Sequence, residues 1–314
     1  MACLGHAQNS PVENPELTAY TWTIDDAGWG DSVLVESLKR TTAFFDSRGL
    51  SSTVFAVPKP WGETMSAEWK EALIAARDAR HDIQPLGLTH SDCYEFGPPA
   101  WPATDILPTL QSEFDERRGQ LMPRYTVGKL RERIEEVKEI FLADYGVEPT
   151  VFRAPCGAIS KPMFSALRET GISYHSGVFI SGSGYGHAVD NGGDISQQWV
   201  DNVPYRPFRW YAGTVEVPIL NEYTWHESGQ RSQEFVGLAR QDLDRISQHS
   251  PVVVIMMHTH GIADDFEHAF RVIDAVAEHV GRKPGASFAT LGELAASGAL
   301  DEAATVEGPD ILEV

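Results

Sequence analysis

Short apolar runs recur along this 314-residue chain, and most lead into a stretch with helical spacing. Tyr20–Ile24, Thr53–Val57, Val215–Leu220 and Pro251–Met257 are too short for buried helices. They are rich in the β-branched and aromatic residues that pleated strands favour. Between them, apolar residues fall three and four apart. Leu34, Leu38, Thr41 and Phe45 follow a capping Asp31; Trp69 and Leu73 follow Ser66; Leu130, Ile134, Val137 and Phe141 share one face of Val127–Leu142. Asp82–Leu88 reads as a strand or turn, Thr150–Arg153 as a strand, and Lys161–Thr170 and Glu234–Gln248 as helices. Phe266, Phe270, Ile273 and Ala277 mark one more helix, and Ser287–Ala296 a last strand–helix pair. Strands that alternate with helices pair in parallel, because a parallel connection needs a crossover long enough to hold a helix.

Three stretches break the pattern. Residues 91–123 read as a long irregular insertion with Tyr94, Phe96, Trp101 and Phe114, suited to close over a substrate or to pair with a second subunit. A homo-oligomer is therefore left open. Residues 176–212 are Gly-rich and poorly periodic, and the acidic tail from Asp301 reads as frayed. The chain is expected to hold a single domain over 18–297, with 1–17 and 298–314 as flexible or peripheral termini.

Composition narrows the partners. Twenty-five Lys and Arg against 45 Asp and Glu leave a net charge of −20, which gives no attraction for nucleic acid or an anionic membrane. The three cysteines, Cys3, Cys93 and Cys156, suggest no disulfide framework. Residues 1–13 show no basic stretch followed by an apolar one, so a cytoplasmic protein is expected.

Four polar motifs sit just after strands, where parallel α/β folds place their chemistry. Thr23-Ile24-Asp25-Asp26 puts two carboxylates side by side, which raises a pKa unless a cation separates them. The second motif is Thr89-His90, an imidazole that suits zinc. Phe152-Arg153-Ala154-Pro155-Cys156-Gly157 offers a guanidinium that can hold a carboxylate. Finally, the apolar run from Val252 delivers His258, with His260 two residues on, and a histidine there suits a general acid. Taken singly, each also fits a structural role as a turn pair, a core histidine or a surface ion pair.

Together and in this order, the motifs resemble carbohydrate esterase family 4, the polysaccharide deacetylases with the NodB homology domain. The family's Thr-Phe-Asp-Asp is similar to Thr23-Ile24-Asp25-Asp26, its Arg-x-Pro-x-Gly to Arg153-Ala154-Pro155-Cys156-Gly157, and its Leu-x-His to Met256-Met257-His258. Ala289-Thr290-Leu291-Gly292-Glu293-Leu294 looks like its closing strand–helix step. The resemblance implies a deformed (β/α) barrel of seven or eight parallel strands. It implies a metal-dependent hydrolase that removes an N-acyl group, acetyl foremost, from a small-molecule or oligosaccharide substrate such as an amino sugar. Asp25 would be the base, Arg153 its orienting partner and His258 the acid. Asp26 and His90 would bind a divalent metal, zinc (Zn2+) foremost. Pro155, Gly157, Tyr94 and Trp210 are candidates for substrate contact, with Trp199 and Trp225 as further candidates for a sugar-stacking wall.

One departure stands out. The family's second motif, His-Ser/Thr-x-x-His, reads Leu86-Gly87-Leu88-Thr89-His90, so Leu86 replaces a metal histidine. His81, Asp92 and Glu95 are candidates to replace it. Two rival functions follow. One is a metal-independent hydrolase of small amides, similar to allantoinase-like relatives, with Asp201-Asn202-Val203-Pro204-Tyr205 as a short match. The other is an inactive carbohydrate-binding relative.

Overall fold

The computed structural model describes residues 9, 18–99, 108–181, 199–200, 203–225 and 231–308. At its centre lies β1 (Ala19–Ala27), which pairs in parallel with β2 (Ser52–Ala56), β9 (Val252–His258) and β10 (Ser287–Phe288). β2 pairs with β3 (Asp82–Pro85), and β9 with β8 (Ile219–Glu222), again in parallel. A second set joins β4 (Val151–Phe152) to β5 (Tyr174–His175), and β5 to β7 (Val215–Glu216).

Two contacts link the sets. Leu86 bridges Arg153, with Arg153 N–H donating to Pro85 and Gly87 N–H to Arg153, so the ladder continues from β3 to β4. On the other side Phe179 bridges Ile219, and β7 runs into β8 across Val217-Pro218. Pairing therefore travels from β1 through β2, β3, β4, β5 and β7–β8 to β9 and back to β1. The fold is α/β with a mostly parallel sheet. An exception to the expected all-parallel set is β6 (Phe208–Arg209), which runs antiparallel to β7.

Alternation of side chains gives the strands two faces. Tyr20, Trp22, Ile24, Val54, Val253, Ile255 and Met257 pack with the helices. Phe55, Val57, Leu86, Val217, Ile219, Val254 and Met256 form a separate core on the opposite face. Leu291 and Leu294 of the helix Leu291–Ala296 join that second core beside the starts of β2 and β3, where Leu291 N–H meets Thr53 and Gly292 N–H meets Asp82. Since Asp25 has the parity of Thr21 and Thr23, and His258 that of Val254 and Met256, the inner core's face carries the polar groups at its open end.

The helices form where spacing and caps place them. α1 (Ser32–Ser47) starts at Asp31, whose carboxylate accepts from Val33 N–H, and buries Leu34, Leu38, Thr41 and Phe45. Ser66 caps α2 (Ala67–Asp78), which buries Trp69 and Leu73. No helix among the described residues is long and apolar enough to cross a membrane.

Three expectations are corrected. Inside the supposed irregular insertion lies α3 (Pro108–Leu121), anchored by Leu110, Phe114 and Leu121. Its other positions are mostly charged or polar, so few apolar residues mark its period. Next, the described residues of the tail pack onto the fold: Leu300 and Ala303 are buried, Asp301 accepts from Tyr174 Oη, and Val306 pairs with Phe208. Third, Cys93 and Cys156 form a disulfide across 63 residues of sequence. That loop closure restricts the unfolded chain. Replacing both cysteines with serine should destabilise the fold by about 2–4 kcal/mol. Thermal unfolding of the oxidised protein and the double variant measures this; equal midpoints would show that the bond constrains nothing.

Candidate active site

Strand register and one irregularity bring the polar residues together. Asp25 lies directly opposite His258 in the β1–β9 pairing. In a regular strand, Asp25 and Asp26 would point to opposite faces. Here the β1–β2 register shifts between Ile24 and Ala27, and Asp26 takes a left-handed φ of 64°. Such bulges re-aim side chains. As a result both carboxylates line one cavity of about 120 Å³, with His90, Arg153 and His258. Leu86, Phe179, Ile219 and Met256 make its apolar wall, with Trp225 and Leu110 also lining it.

Arg153 and Asp25 form a buried pair, with Nη1 2.5 Å from Oδ1. The same Nη1 donates to Thr23 Oγ1, Nε to the Ser176 carbonyl and Nη2 to Ser176 Oγ, while the guanidinium lies 4.0 Å from the centre of the Phe55 ring. This arrangement fixes the planar fork. Burial pushes the Asp25 pKa up, against the lowering effect of Arg153, so Asp25 is a stronger base than an exposed aspartate.

Asp26 behaves oppositely. Burial would raise its pKa, but His260 and the charges of His258 and His90 hold it at about 2. His90 Nε2 lies 3.6 Å from one carboxylate oxygen and His260 Nδ1 3.5 Å from the other. His90 reaches this position through a turn with Gly87 at φ 59° and His90 at φ 46°. Glu95 holds that turn by accepting from the N–H groups of Leu88, Thr89 and His90. A Cβ at Gly87 would stand 2.7 Å from the Pro155 ring, so only glycine fits.

His258 meets a partner that the sequence did not reveal. Its Nδ1 is 2.6 Å from Oε2 of Glu222, a fully buried carboxylate at the end of β8. Burial alone would depress the imidazolium, but Glu222, helped by Asp26 and Asp25, lifts its pKa to about 9. Thr224 Oγ1 donates to the other Glu222 oxygen. The only advance signal for Glu222 was its place at a strand end.

Other expected residues stand elsewhere. Pro155 is buried behind Gly87, while its neighbours Cys156 and Gly157 line the cavity. Tyr94 is buried, with its hydroxyl bonded to Leu110 and Glu113, and does not line the cavity. Trp210 packs on Phe164 and Phe208 and donates to Glu216, which makes it a core residue. Trp199 packs beside Tyr205 and Arg245, whereas the Trp225 ring is 4.9 Å from His258. Asp201 and Asn202 lie outside the described residues, as does Trp101. Of the candidate replacements for Leu86, His81 bonds Ser52 at the far end of the sheet, Asp92 pairs with Arg117 and Arg124, and Glu95 holds the turn.

Comparison with known proteins gives the family and the fold. The family model for polysaccharide deacetylase matches residues 15–175, just over half of the chain. The chain belongs to the polysaccharide deacetylase family. It is thus a hydrolase of the deacetylase type. No curated protein matches it. Among solved structures, a Mycobacterium smegmatis protein assigned to the polysaccharide deacetylases superposes with a TM-score of 0.63 at 15% identity, covering 99% of each chain. The carbohydrate esterase 4 domain of a xylanase from the hindgut metagenome of Trinervitermes trinervoides gives 0.50 at 12% identity, over 93% of this chain and 97% of that one. A chitin deacetylase of Colletotrichum lindemuthianum gives 0.50 at 11% identity, over 90% and 89%. At these identities the likeness is one of fold.

Family members are generally metal-dependent. Here Leu86 occupies the cavity wall in place of a ligand, and among the described residues no group of three or more His, Cys, Asp or Glu is arranged to hold a metal ion. The residues present do not fit the family's metal site.

Glu222→Gln removes the charge that lifts His258. The acid form of His258 is then lost at a lower pH, so the alkaline limb of the kcat/KM profile should move downward by about one pH unit or more. An unmoved limb in the variant would show that the limb does not report His258 held by Glu222.

Proposed function

We propose that the chain hydrolyses an N-acyl group, acetyl foremost, from an amino sugar or a related carbohydrate, with Asp25 as base and His258 as acid. One observation carries this reading: two oppositely charged groups face each other at strand ends, each fixed by its own buried partner. A binding site has no need of a base and an acid together. Whole ligands usually occupy pockets of about 300–1,000 Å³. The cavity of about 120 Å³ instead suits an acyl group and a water, with the sugar outside.

Asp25 takes the proton of a water as its oxygen attacks the acyl carbon. The protonated imidazole of His258 gives its proton to the amide nitrogen as the C–N bond breaks, which releases a carboxylic acid and an amine. Arg153 keeps Asp25 ionised and aimed, and Glu222 keeps His258 charged until transfer. We assign Asp26, between His90 and His260, a fixed negative charge that favours the imidazolium. No step is routed through a metal, so the roles that the resemblance gives to zinc, Asp26 and His90 are set aside. The Cys93–Cys156 bond favours an oxidising compartment over the cytoplasm expected from the sequence.

Acetate release from an N-acetylglucosamine oligosaccharide tests this, with and without a chelator, beside elemental analysis of the wild type and Asp26→Ala. Activity should persist within about twofold in chelator. About one metal ion per chain, lost in Asp26→Ala together with chelator-sensitive turnover, would restore the family's metal chemistry.

A further inference from the structure

Among the described residues, the exposed large apolar side chains are Val33, Trp61, Leu142 and Tyr211. Of these, Trp61 makes a ring contact that leads to the active site. Its ring centre is 5.1 Å from that of Trp29, and Trp29 in turn stacks on His90 at 5.4 Å and meets His260 edge-on at 5.0 Å. His90 lines the acyl cavity. An aromatic path therefore runs from solvent to the reaction centre.

The backbone holds Trp61 in place. Its φ of 57° and ψ of 17° lie in the left-handed region, which is sterically unfavourable for a bulky residue. Two backbone bonds maintain it: Trp61 N–H donates to Thr89 and Lys59 N–H to Leu88. Both acceptors belong to the turn that carries His90, so the indole and the cavity are fixed relative to each other. Conformations of this kind cluster at ligand-binding sites, and here the strained residue is also 60% exposed.

We propose that Trp61 and Trp29 form a sugar-stacking subsite on the rim of the cavity. It would receive the pyranose ring beyond the acyl group, whose apolar C–H face suits an indole. This deepens the amino-sugar reading above and rests on it. A nucleotide would offer a stacking face too, but the net charge of −20 opposes a polyanion. The amine left by deacylation is cationic, which both the charge and the indole faces favour.

The test uses two substrates, the β-1,4-linked N-acetylglucosamine tetramer and p-nitrophenyl acetate, which offers an acyl group without a sugar. In Trp61→Ala the ratio of kcat/KM for the tetramer to that for p-nitrophenyl acetate should fall about tenfold, through KM, and Trp61→Phe should recover most of it. Tyr211→Ala, an equally exposed aromatic just before β7 at the other end of the strand, should leave the ratio as it is. Calorimetric titration of the tetramer needs no turnover and separates the two readings. A Kd for the tetramer that Trp61→Ala leaves unchanged, or no binding by the wild type, overturns the subsite. A wild type that binds the tetramer but releases no acetate from it overturns the amino-sugar reaction and leaves the subsite standing.

Discussion

The contact between Arg153 and Asp25 sets the conditions for everything else at the mouth of this sheet. Both side chains are almost wholly removed from water, and a buried charge without a partner is untenable. Asp25 is tied to β1, and Arg153 follows β4, on the other side of β2 and β3. Closing this pair therefore requires the ladder to continue from β3 to β4, which the Leu86–Arg153 bridge does. Removing one member of a buried pair typically costs about 3–5 kcal/mol, so the fold and the position of Asp25 are coupled. The rest of the guanidinium is used as well: Thr23, Ser176 and Phe55 fix its plane, leaving Asp25 little freedom.

Two adjacent carboxylates are thereby given different characters. At Asp25 burial outweighs the charges of Arg153 and His258 and raises the pKa; at Asp26 three histidines outweigh burial and hold it at about 2. Environments that push neighbouring groups apart are how active sites assign acid and base roles. His258 completes the set, because Glu222 and the two aspartates stabilise its charged form. A second His–Glu pair, His175 with Glu216, sits one strand position from Ser176, and Glu216 also accepts from Gly177 and Val178. That pair holds the loop on which Arg153 leans.

The strand ends were legible because apolar runs stopped at polar residues: Asp25-Asp26 after Ile24, Arg153 after Phe152, His258 after Met257. Register then did what sequence cannot, placing Asp25 opposite His258. Glu222 escaped notice because carboxylates are seldom buried, and the β8–β9 register shift between Ile219 and Asn221 disturbs the alternation there. Tyr94 and Trp210 misled for the converse reason, since aromatics beside a site more often pack than bind. The Cys93–Cys156 bond was hidden because pairing depends on spatial approach, not count. Helix α3 carries too few apolar anchors to declare its period.

The central claim is that Asp25 takes the proton of the attacking water, and acetate release by Asp25→Asn tests it most directly. The asparagine keeps the shape and its Oδ1 can still accept from Arg153; loss of the charge should lower the melting temperature, but well below it circular dichroism should be unchanged and the tetramer should still bind. Turnover should fall by about 10²–10⁴-fold, the usual contribution of a positioned base. A folded Asp25→Asn protein that retains turnover within about tenfold of wild type would contradict the account and move the base elsewhere in the cavity.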